Sequence, residues 1–473
     1  MNIETPAADP SLSPVRVWKV GSYDDARRIK ECIAQILDAQ PQRLHPLLEA
    51  GPNALAVVKP NWVQEAHEHR PGVWEPVITH PRVVLAVVEA LAERIGQGTI
   101  CLCDAPHTYA SFESILKRGD LLPALEAVRA KWPRLRIELL DLRREIWIRK
   151  EEVVVERRPN PDDPRGYVRV DLGRASFLFR HRGEGSYYGA DYDAGVVNEH
   201  HRGEKQEYLL SGTAMACHLF VNVPKLKTHK KTGITCCLKN LVGINGDKNW
   251  LPHHTERGPA WVGDEYPVDG WPTLLERALK KPGRRLALSM PGVGTWIFRK
   301  MRIAGKVVLG DSETVVRNGN WHGNDTCWRM ALDLNRALLY ANLDGSWRDK
   351  PDAKPYLAIV DGIVGGEGNG PLCPDPVSSS VLLGGTDPAA VDAAACRLMG
   401  FDPWSLPLVR HAFAEGDRPI SAVRPDDVRV WDERAGREVS LAELEPSVPG
   451  GFQPHFGWEA KADLRAKATR APR

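Results

Sequence analysis

The sequence lacks the features that assign a protein to several specialised classes. It has no run of about 18 apolar residues, so we predict no transmembrane helix. Its 63 lysines and arginines nearly balance 61 aspartates and glutamates, and this gives no general case for nucleic-acid binding. Residues 1–15 have neither the basic start nor the apolar centre of a secretory signal. We therefore expect a soluble, cytoplasmic protein that does not bind nucleic acid.

No two of the nine cysteines stand in a C-x-x-C arrangement. An odd count without framework spacing fits a reducing compartment. Cys101 and Cys103 lie two apart in an apolar run, so both face one side of a predicted strand. Free cysteine is among the most buried residue types. We interpret this pair as core residues, and Cys236 and Cys237, in a predicted helix, in the same way.

What the sequence does contain is four apolar runs that each end in charged or amide side chains. Short β-branched runs predict buried strands, and in open α/β sheets ligands bind outside the carboxyl ends of the strands. Three lysines, a histidine and two aspartates at that edge indicate a polar pocket for an anionic ligand, with or without a metal. The runs and their polar ends span residues 55–61, 99–104, 218–229 and 356–362.

Helical patterns alternate with these runs. Thr79-His80-Pro81 predicts a helix start with proline at the first helical position, and Asp387-Pro388 predicts a second start of the same kind. This alternation predicts an α/β fold with a doubly wound, mostly parallel sheet core and α+β insertions. Further helices are predicted over residues 24–37, 110–130, 232–242 and 324–340.

Composition and pattern divide the chain into seven parts. In chain order, we predict a mobile tail (1–14), a first α/β part of the core (15–134), a β-rich insertion (135–217), a core Lys/His motif (218–254), a basic, Trp-rich insertion (255–330), a second α/β part of the core (331–450) and a basic tail (451–473).

The densest polar motif places Lys225, Lys227 and His229 directly after an apolar run. If Pro224 ends the strand, the following loop can direct its lysines inward. Lysine binds phosphate or carboxylate as a compact cation, and a desolvated lysine can act as a base or nucleophile because burial lowers its pKa. The alternative is an ordinary solvated strand end, since most lysines are exposed.

A second motif begins at Asp361 and continues as a glycine-rich loop that carries Glu367 and Asn369. Glycines allow the backbone to approach an anion closely. The run matches neither a P-loop nor a dinucleotide fingerprint, because no Gly-Lys-Ser/Thr follows and Pro371 stands where a helix should begin. A wide turn without function is the alternative.

Metal binding has two possible sources. Asp104 and Asp361 could supply oxygen ligands to Mg²⁺. The histidine pairs at 67/69, 200/201 and 253/254 could bind zinc or iron. None of these pairs has the spacing of a known helical motif, so we favour surface loops for them.

The segment 279–306 is rich in lysine and arginine and has no acidic residue. It predicts either a solvated basic helix packed on the body of the protein or a contact with a membrane surface.

Taken together, the motifs resemble the uncharacterised proteins grouped as domain of unknown function 362. They span roughly residues 55–405, in family order. The matching stretches are Lys59-Pro-Asn61, Thr79-His80-Pro81, Asp104-Ala-Pro106, Pro224-Lys225-Leu-Lys227-Thr228-His229, Lys239-Asn240-Leu-Val-Gly243, Asp361-Gly, Glu367-Gly-Asn369-Gly370-Pro371 and Asp387-Pro through Met399-Gly400.

Many proteins of the family that this chain resembles carry a ferredoxin-like iron–sulfur segment. This chain lacks the C-x-x-C spacing of a four-cysteine cluster, so we expect no such cluster here. The resemblance also implies that the insertions are where this member differs from its relatives, and where its substrate is selected.

These observations predict an enzyme of undetermined reaction that acts on a phosphate- or carboxylate-bearing small molecule. One alternative is a redox accessory that borrows a partner's cluster. The other is a scaffold that binds a membrane or partner through 279–306. The substrate, the metal and the oligomeric state stay open. The predicted catalytic residues are Lys227, His229, Asp104 and Asp361, with Asp104 and Asp361 also the metal candidates, and the predicted substrate contacts are Lys59, Asn61, Lys225, Thr228, Lys239, Asn240, Glu367 and Asn369.

Overall fold

The computed structural model describes residues 15–150, 153–189, 194–268, 315–348, 353–461 and 463–465. The predicted mobile tail 1–14 and the basic segment 279–306 lie outside these residues. Within the described part of the chain, no helix is long and apolar enough to cross a membrane.

Nineteen strands are described. They are β1 (Val15–Lys19), β2 (Leu55–Pro60), β3 (Gly98–Asp104), β4 (Leu135–Asp141), β5 (Glu145–Lys150), β6 (Val153–Pro159), β7 (Tyr167–Asp171), β8 (Tyr187–Gly189), β9 (His201–Arg202), β10 (Lys205–Ser211), β11 (Leu219–Val223), β12 (Lys225–His229), β13 (Gly233–Thr235), β14 (Pro252–Thr255), β15 (Tyr356–Asn369), β16 (Cys373–Val377), β17 (Val381–Gly385), β18 (Arg429–Asp432) and β19 (Arg437–Ser440).

Twelve α-helices are described in the same residues. They are α1 (Ala26–Asp38), α2 (Pro41–Glu49), α3 (Pro81–Ile95), α4 (Phe112–Leu116), α5 (Leu121–Lys131), α6 (Ala194–His200), α7 (Gly212–Ala216), α8 (Cys237–Asn240), α9 (Cys327–Tyr340), α10 (Pro388–Leu398), α11 (Pro407–Ala412) and α12 (Phe456–Glu459).

Twelve of the strands form one mixed sheet in the order β19-β18-β1-β17-β15-β11-β2-β3-β4. Strands β12 and β16 pair with β15 outside this order, and β13 pairs with β12. The block from β15 to β4 is entirely parallel. Strand β12 follows β11 after Pro224 and also runs parallel to β15. The carboxyl ends of β2, β3 and β11 therefore lie side by side, as the α/β prediction required.

Helices cover both faces of this sheet. Val57 belongs to one hydrophobic cluster, together with α9 and α10. Its neighbours Ala56 and Val58 belong to a second cluster, together with α1, α3 and α5. Successive residues of a strand point to opposite faces, so the continuous apolar run of β2 is buried on both sides. This confirms the doubly wound α/β core.

The predicted helix starts are confirmed. His80 caps α3 by accepting the N–H of Arg82, and Pro81 occupies the first turn. Asp387 caps α10 by accepting the N–H groups of Ala389 and Ala390. These caps fix the points at which the chain leaves the sheet edge.

The polar motif at 225–229 is a strand rather than the predicted loop. Lys225 and Lys227 of β12 pair with residues of β15, and Lys227 also pairs with Thr235 of β13. The helix predicted over 232–242 is also wrong, because β13 occupies its first part and α8 spans only four residues. Partner strands that are distant in the sequence override the local pattern here.

The glycine-rich run after Asp361 is not a loop either. Strand β15 continues to Asn369 and forms a hairpin with β16, with Glu367 opposite Asp375. Gly370, directly after β15, has no room for a side chain because the backbone of β12 lies close to it. A Cβ at Gly370 would lie 2.0 Å from the carbonyl oxygen of Thr228.

Two predicted boundaries also move. Strand β4 pairs in parallel with β3, so residues 135–141 belong to the central sheet and not to the insertion. The segment from 451 is not a basic tail through its described part, because Phe452 and Trp458 are buried. Both segments carry apolar side chains that the core covers.

Candidate functional site

Lys59 and Asp104 form an ion pair at the carboxyl ends of the adjacent strands β2 and β3. Both are almost fully buried, and Lys59 Nζ lies 2.7 Å from Asp104 Oδ1. The ammonium also donates to the carbonyl of Pro60 at 2.8 Å and to Asn240 Oδ1 at 3.1 Å. Burial lowers the pKa of Lys59, and the charge of Asp104 opposes that shift. Three acceptors match the three N–H groups of a charged lysine.

Amide side chains complete this pair. Asn61 Nδ2 donates to Asn240 Oδ1 at 2.9 Å, and Trp62 N donates to Asp104 Oδ2 at 2.7 Å. Gly243 covers the pair so closely that a Cβ there would lie 1.8 Å from Asp104 Oδ1. Glycine is thus required at this position for steric reasons.

A second ion pair joins Lys225 of β12 to Asp361 of β15. Lys225 Nζ lies 2.8 Å from Asp361 Oδ2, and both side chains are fully buried. The hydroxyl of Tyr23 donates to Asp361 Oδ1 at 2.9 Å and lies 2.7 Å from Lys225 Nζ. The backbone N–H of His80 donates to Asp361 Oδ2 at 2.8 Å. The ring of His80 stacks on Tyr23 with 3.6 Å between centroids.

Burial lowers the pKa of His80 to about 3, so its ring is neutral at physiological pH. Burial also lowers the pKa of Lys225, while the Asp361 carboxylate acts in the opposite direction.

Lys227 is buried, and no carboxylate within the described ranges pairs with it. Its Nζ donates to the backbone carbonyls of Val77 and Pro371. Burial holds its pKa well below the ordinary value, and repulsion from Lys225 adds to this, with Asp104 opposing. A neutral amine has two N–H donors and one lone pair, and the two carbonyls account for both donors.

Lys239, in α8, is also buried. It is 7% exposed, and no acceptor contacts its ammonium among the residues that the structure describes. Burial lowers its pKa, and the charge of Lys59 lowers it further. The charges of Lys239 and Lys231 also lower the pKa values of both His229 and His253, with burial the largest cause for each ring. Lys231, Lys239, His229 and His253 therefore lie close enough to interact electrostatically, and we call these four residues the basic region.

The remaining predicted contacts serve the β15–β16 hairpin. Thr228 Oγ1 donates to the carbonyl of Gly368 at 2.9 Å. Glu367 Oε2 accepts the backbone N–H of Gln453 at 2.7 Å. Asn369 lies at the end of the hairpin, opposite Cys373. The structure thus brings together the lysines, the aspartates, Asn61, Asn240 and His229. Thr228 and Glu367 instead form hydrogen bonds with the backbone, and Asn369 lies at the end of the hairpin.

A metal ion at Asp104 or Asp361 would have to compete with a lysine, because each carboxylate already forms an ion pair with an ammonium group. Within the described residues, one group has metal-ligand proximity: Cys236, Cys237 and Asp392, whose ligand atoms lie within 4.8 Å of one another. Asp392 there accepts the backbone N–H groups of Cys237 and Leu238 at 2.7 and 3.1 Å. These bonds give it a structural role at the start of α8.

The histidine pairs were predicted on surface loops, but His67, His201 and His254 are buried. Aromatic rings explain part of this burial, since His254 stacks on Tyr188. His200, which is only half-buried, stacks on Trp250 in the same way. An alternation of hydrophobic residues does not reveal histidines that are buried by stacking.

Sequence reasoning missed four residues of the site. Tyr23 and His80 reach Asp361 across more than 280 positions of sequence. Lys231 joins the basic region from the turn between β12 and β13, and His253 joins it from β14. The Thr79-His80-Pro81 motif marked His80 as a helix cap, but no local signal connects any of the four to the lysines.

The fold and the site together define an α/β protein with a buried lysine–aspartate centre at the carboxyl ends of its parallel strands. Residues 187–397 match the family model described as "Domain of unknown function (DUF362)", and this confirms the family resemblance. The matched span includes Lys225, Lys227, Lys239 and Asp361, while Lys59 and Asp104 precede it. No curated protein matches the chain.

Proposed function

We propose that this protein is a cytoplasmic enzyme that binds an anionic small molecule at the buried lysine centre. The observation that carries the proposal is a charge imbalance. Lys59, Lys225, Lys227 and Lys239 are all buried, but among the described residues only Asp104 and Asp361 face them as ion-pair partners. An unpaired buried charge is costly unless the group loses its proton or meets a counter-ion.

Lys227 and Lys239 differ in how their burial is compensated. Lys227 has a strongly lowered pKa and two carbonyl acceptors, so it suits a neutral amine that acts as a base or nucleophile. Lys239 contacts no acceptor in the described part of the chain, and it lies near His229 and Lys231. We assign Lys239 the role of binding the anion. Asp104 and Asp361 then act through the lysines that they hold in place.

The nine cysteines agree with the proposed location. All of them are free and buried, as is usual for a protein of a reducing compartment.

Titration calorimetry with inorganic phosphate at pH 7.5 tests the proposal. Lys239→Met should weaken phosphate binding at least about tenfold, the equivalent of about 1.4 kcal/mol, because the substitution removes the unpaired ammonium and keeps most of the side-chain volume. Lys117→Met, at a lysine whose side chain is 64% exposed beside Glu113, should bind as the wild type does. Equal affinity in all three proteins, or no binding of phosphate or acetate by the wild type, would contradict the proposal.

Phosphate binding should also weaken as the pH rises through about 8. Burial lowers the pKa of Lys231 to about 8, so this lysine loses its positive charge there while an ordinary lysine stays protonated. Inorganic phosphate itself stays a dianion between pH 8 and 9.5, so a fall in affinity over that range reports on the protein. In Lys231→Gln the fall should be absent. A wild-type profile that is flat to pH 9.5 would exclude Lys231 from the site.

A further inference from the structure

The hydrogen-bond partners of His229 fix the position of its proton. Its Nδ1 accepts the backbone N–H groups of Lys231 at 3.1 Å and of Thr232 at 3.3 Å. A nitrogen that accepts two N–H donors carries no proton. In the neutral ring the proton is therefore on Nε2, and Nε2 is a donor.

His253 has the opposite arrangement. Its Nδ1 lies 2.8 Å from the carbonyl oxygen of Leu251, and a carbonyl oxygen only accepts. Nδ1 of His253 therefore carries the proton, and its Nε2 presents a lone pair. The chain around His253 is held at the start of α9, because Asn324 Nδ2 donates to the carbonyl of His253 at 3.0 Å.

Both rings stay neutral at physiological pH. Burial holds the pKa of each ring well below the ordinary value, and Lys239 lowers both further. Neither Nε2 atom has a hydrogen-bond partner among the described residues. The basic region around Lys239 and Lys231 thus holds one ring that donates a hydrogen bond and one that accepts a hydrogen bond.

We propose that His229 and His253 make the anion site selective for hydrogenphosphate, an oxyanion that keeps a hydroxyl hydrogen. Lys239 and the Nε2–H of His229 bind the charged oxygens, and the Nε2 lone pair of His253 accepts the P–O–H hydrogen. Sulfate has the same shape and charge but no hydrogen, so it places an oxygen lone pair against that of His253. This inference rests on the proposed function and adds inorganic phosphate as its substrate or product.

The same chemistry separates free phosphate from a phosphate ester. The dianion of methyl phosphate has no hydroxyl hydrogen, and its second ionisation, near pH 6, is complete at pH 8. Inorganic phosphate still carries one hydrogen at that pH. A site that recognises free phosphate should therefore bind methyl phosphate as weakly as sulfate.

Calorimetric titrations of the full-length protein at pH 8 with phosphate, sulfate and methyl phosphate test the inference. The wild type should bind phosphate at least about tenfold more tightly than the other two anions, because a buried acceptor that is left without a donor destabilises the complex. His253→Asn should weaken phosphate binding and strengthen sulfate binding until the two affinities are equal, because it removes both the acceptor of the P–O–H hydrogen and the lone pair that opposes sulfate. Asparagine can still donate to Leu251 through Nδ2 but offers no group at the Nε2 position.

His229→Asn is the matched variant. Its Oδ1 can still accept the N–H groups of Lys231 and Thr232, but the Nε2–H donor is lost, so binding of all three anions should weaken by a similar factor. His45→Asn, at a histidine whose side chain is 67% exposed on α2, should change nothing. If His253→Asn does not fold, the wild-type ratio of phosphate to sulfate affinity decides the question.

The possible outcomes separate this inference from the proposed function. If the wild type binds phosphate and sulfate equally and Lys239→Met weakens both, the selectivity for an anion with a hydroxyl hydrogen is refuted. The proposed anion site is then still supported. If Lys239→Met weakens neither anion, both the site and the selectivity are refuted.

Discussion

Asp361→Ala should lower the free energy of unfolding by about 3–5 kcal/mol, the usual cost of breaking a buried ion pair by removing one partner. The substitution leaves the ammonium of Lys225 buried without a counter-charge, because both side chains of the pair are fully buried. It also removes the acceptor of the hydroxyl of Tyr23 and of the backbone N–H of His80. Urea denaturation followed by circular dichroism measures the change.

A surface pair provides the control. Asp375→Ala removes the partner of Arg70 at a site where both side chains are largely exposed, and such pairs contribute only about 0–1 kcal/mol. The double variant Lys225→Met/Asp361→Leu should recover part of the loss, since it leaves no buried charge unpaired. A single variant Asp361→Ala as stable as Asp375→Ala would show that the Lys225–Asp361 pair contributes nothing to stability.

Trp458→Ala should cost about 3–5 kcal/mol, the range for truncating a large buried aromatic side chain. Trp458 is 2% exposed, and its ring lies over Gly233, where an added Cβ would approach it to 3.2 Å. Its Nε1 donates to the carbonyl of Lys230 at 3.0 Å. The segment after residue 451 therefore supports the stretch that carries His229 and Lys231, and Trp458→Ala should also weaken phosphate binding.

Trp458→Phe separates packing from hydrogen bonding. It keeps most of the buried area, so its stability loss should be well under that of Trp458→Ala, while the bond to Lys230 is lost in both. Trp431→Ala, at a tryptophan that is 39% exposed, should change stability by less than about 1 kcal/mol. If Trp458→Ala has the same free energy of unfolding as the wild type, the segment after residue 451 does not contribute to stability.

The core was predictable because its signals are local. The apolar runs at β2 and β3 and the caps at His80 and Asp387 each depend on a few adjacent residues, and the doubly wound fold followed from their alternation. The strand character of 225–229 was not predictable from the local pattern. It comes from pairing with β15, more than 130 positions later, and polar residues form a strand when such a partner fixes them.

The site divides in the same way. By itself the sequence determined which residue types stand at the strand ends: Lys59, Asp104, the lysines of the 225–229 motif and Asp361. Only the tertiary structure decided how they pair. It gave Lys59 and Lys225 a carboxylate each, while Lys227 and Lys239 have none among the residues that the structure describes. The physical reason is that pairing and desolvation depend on distances of a few ångströms between segments far apart in the chain. No local pattern of residues encodes those distances.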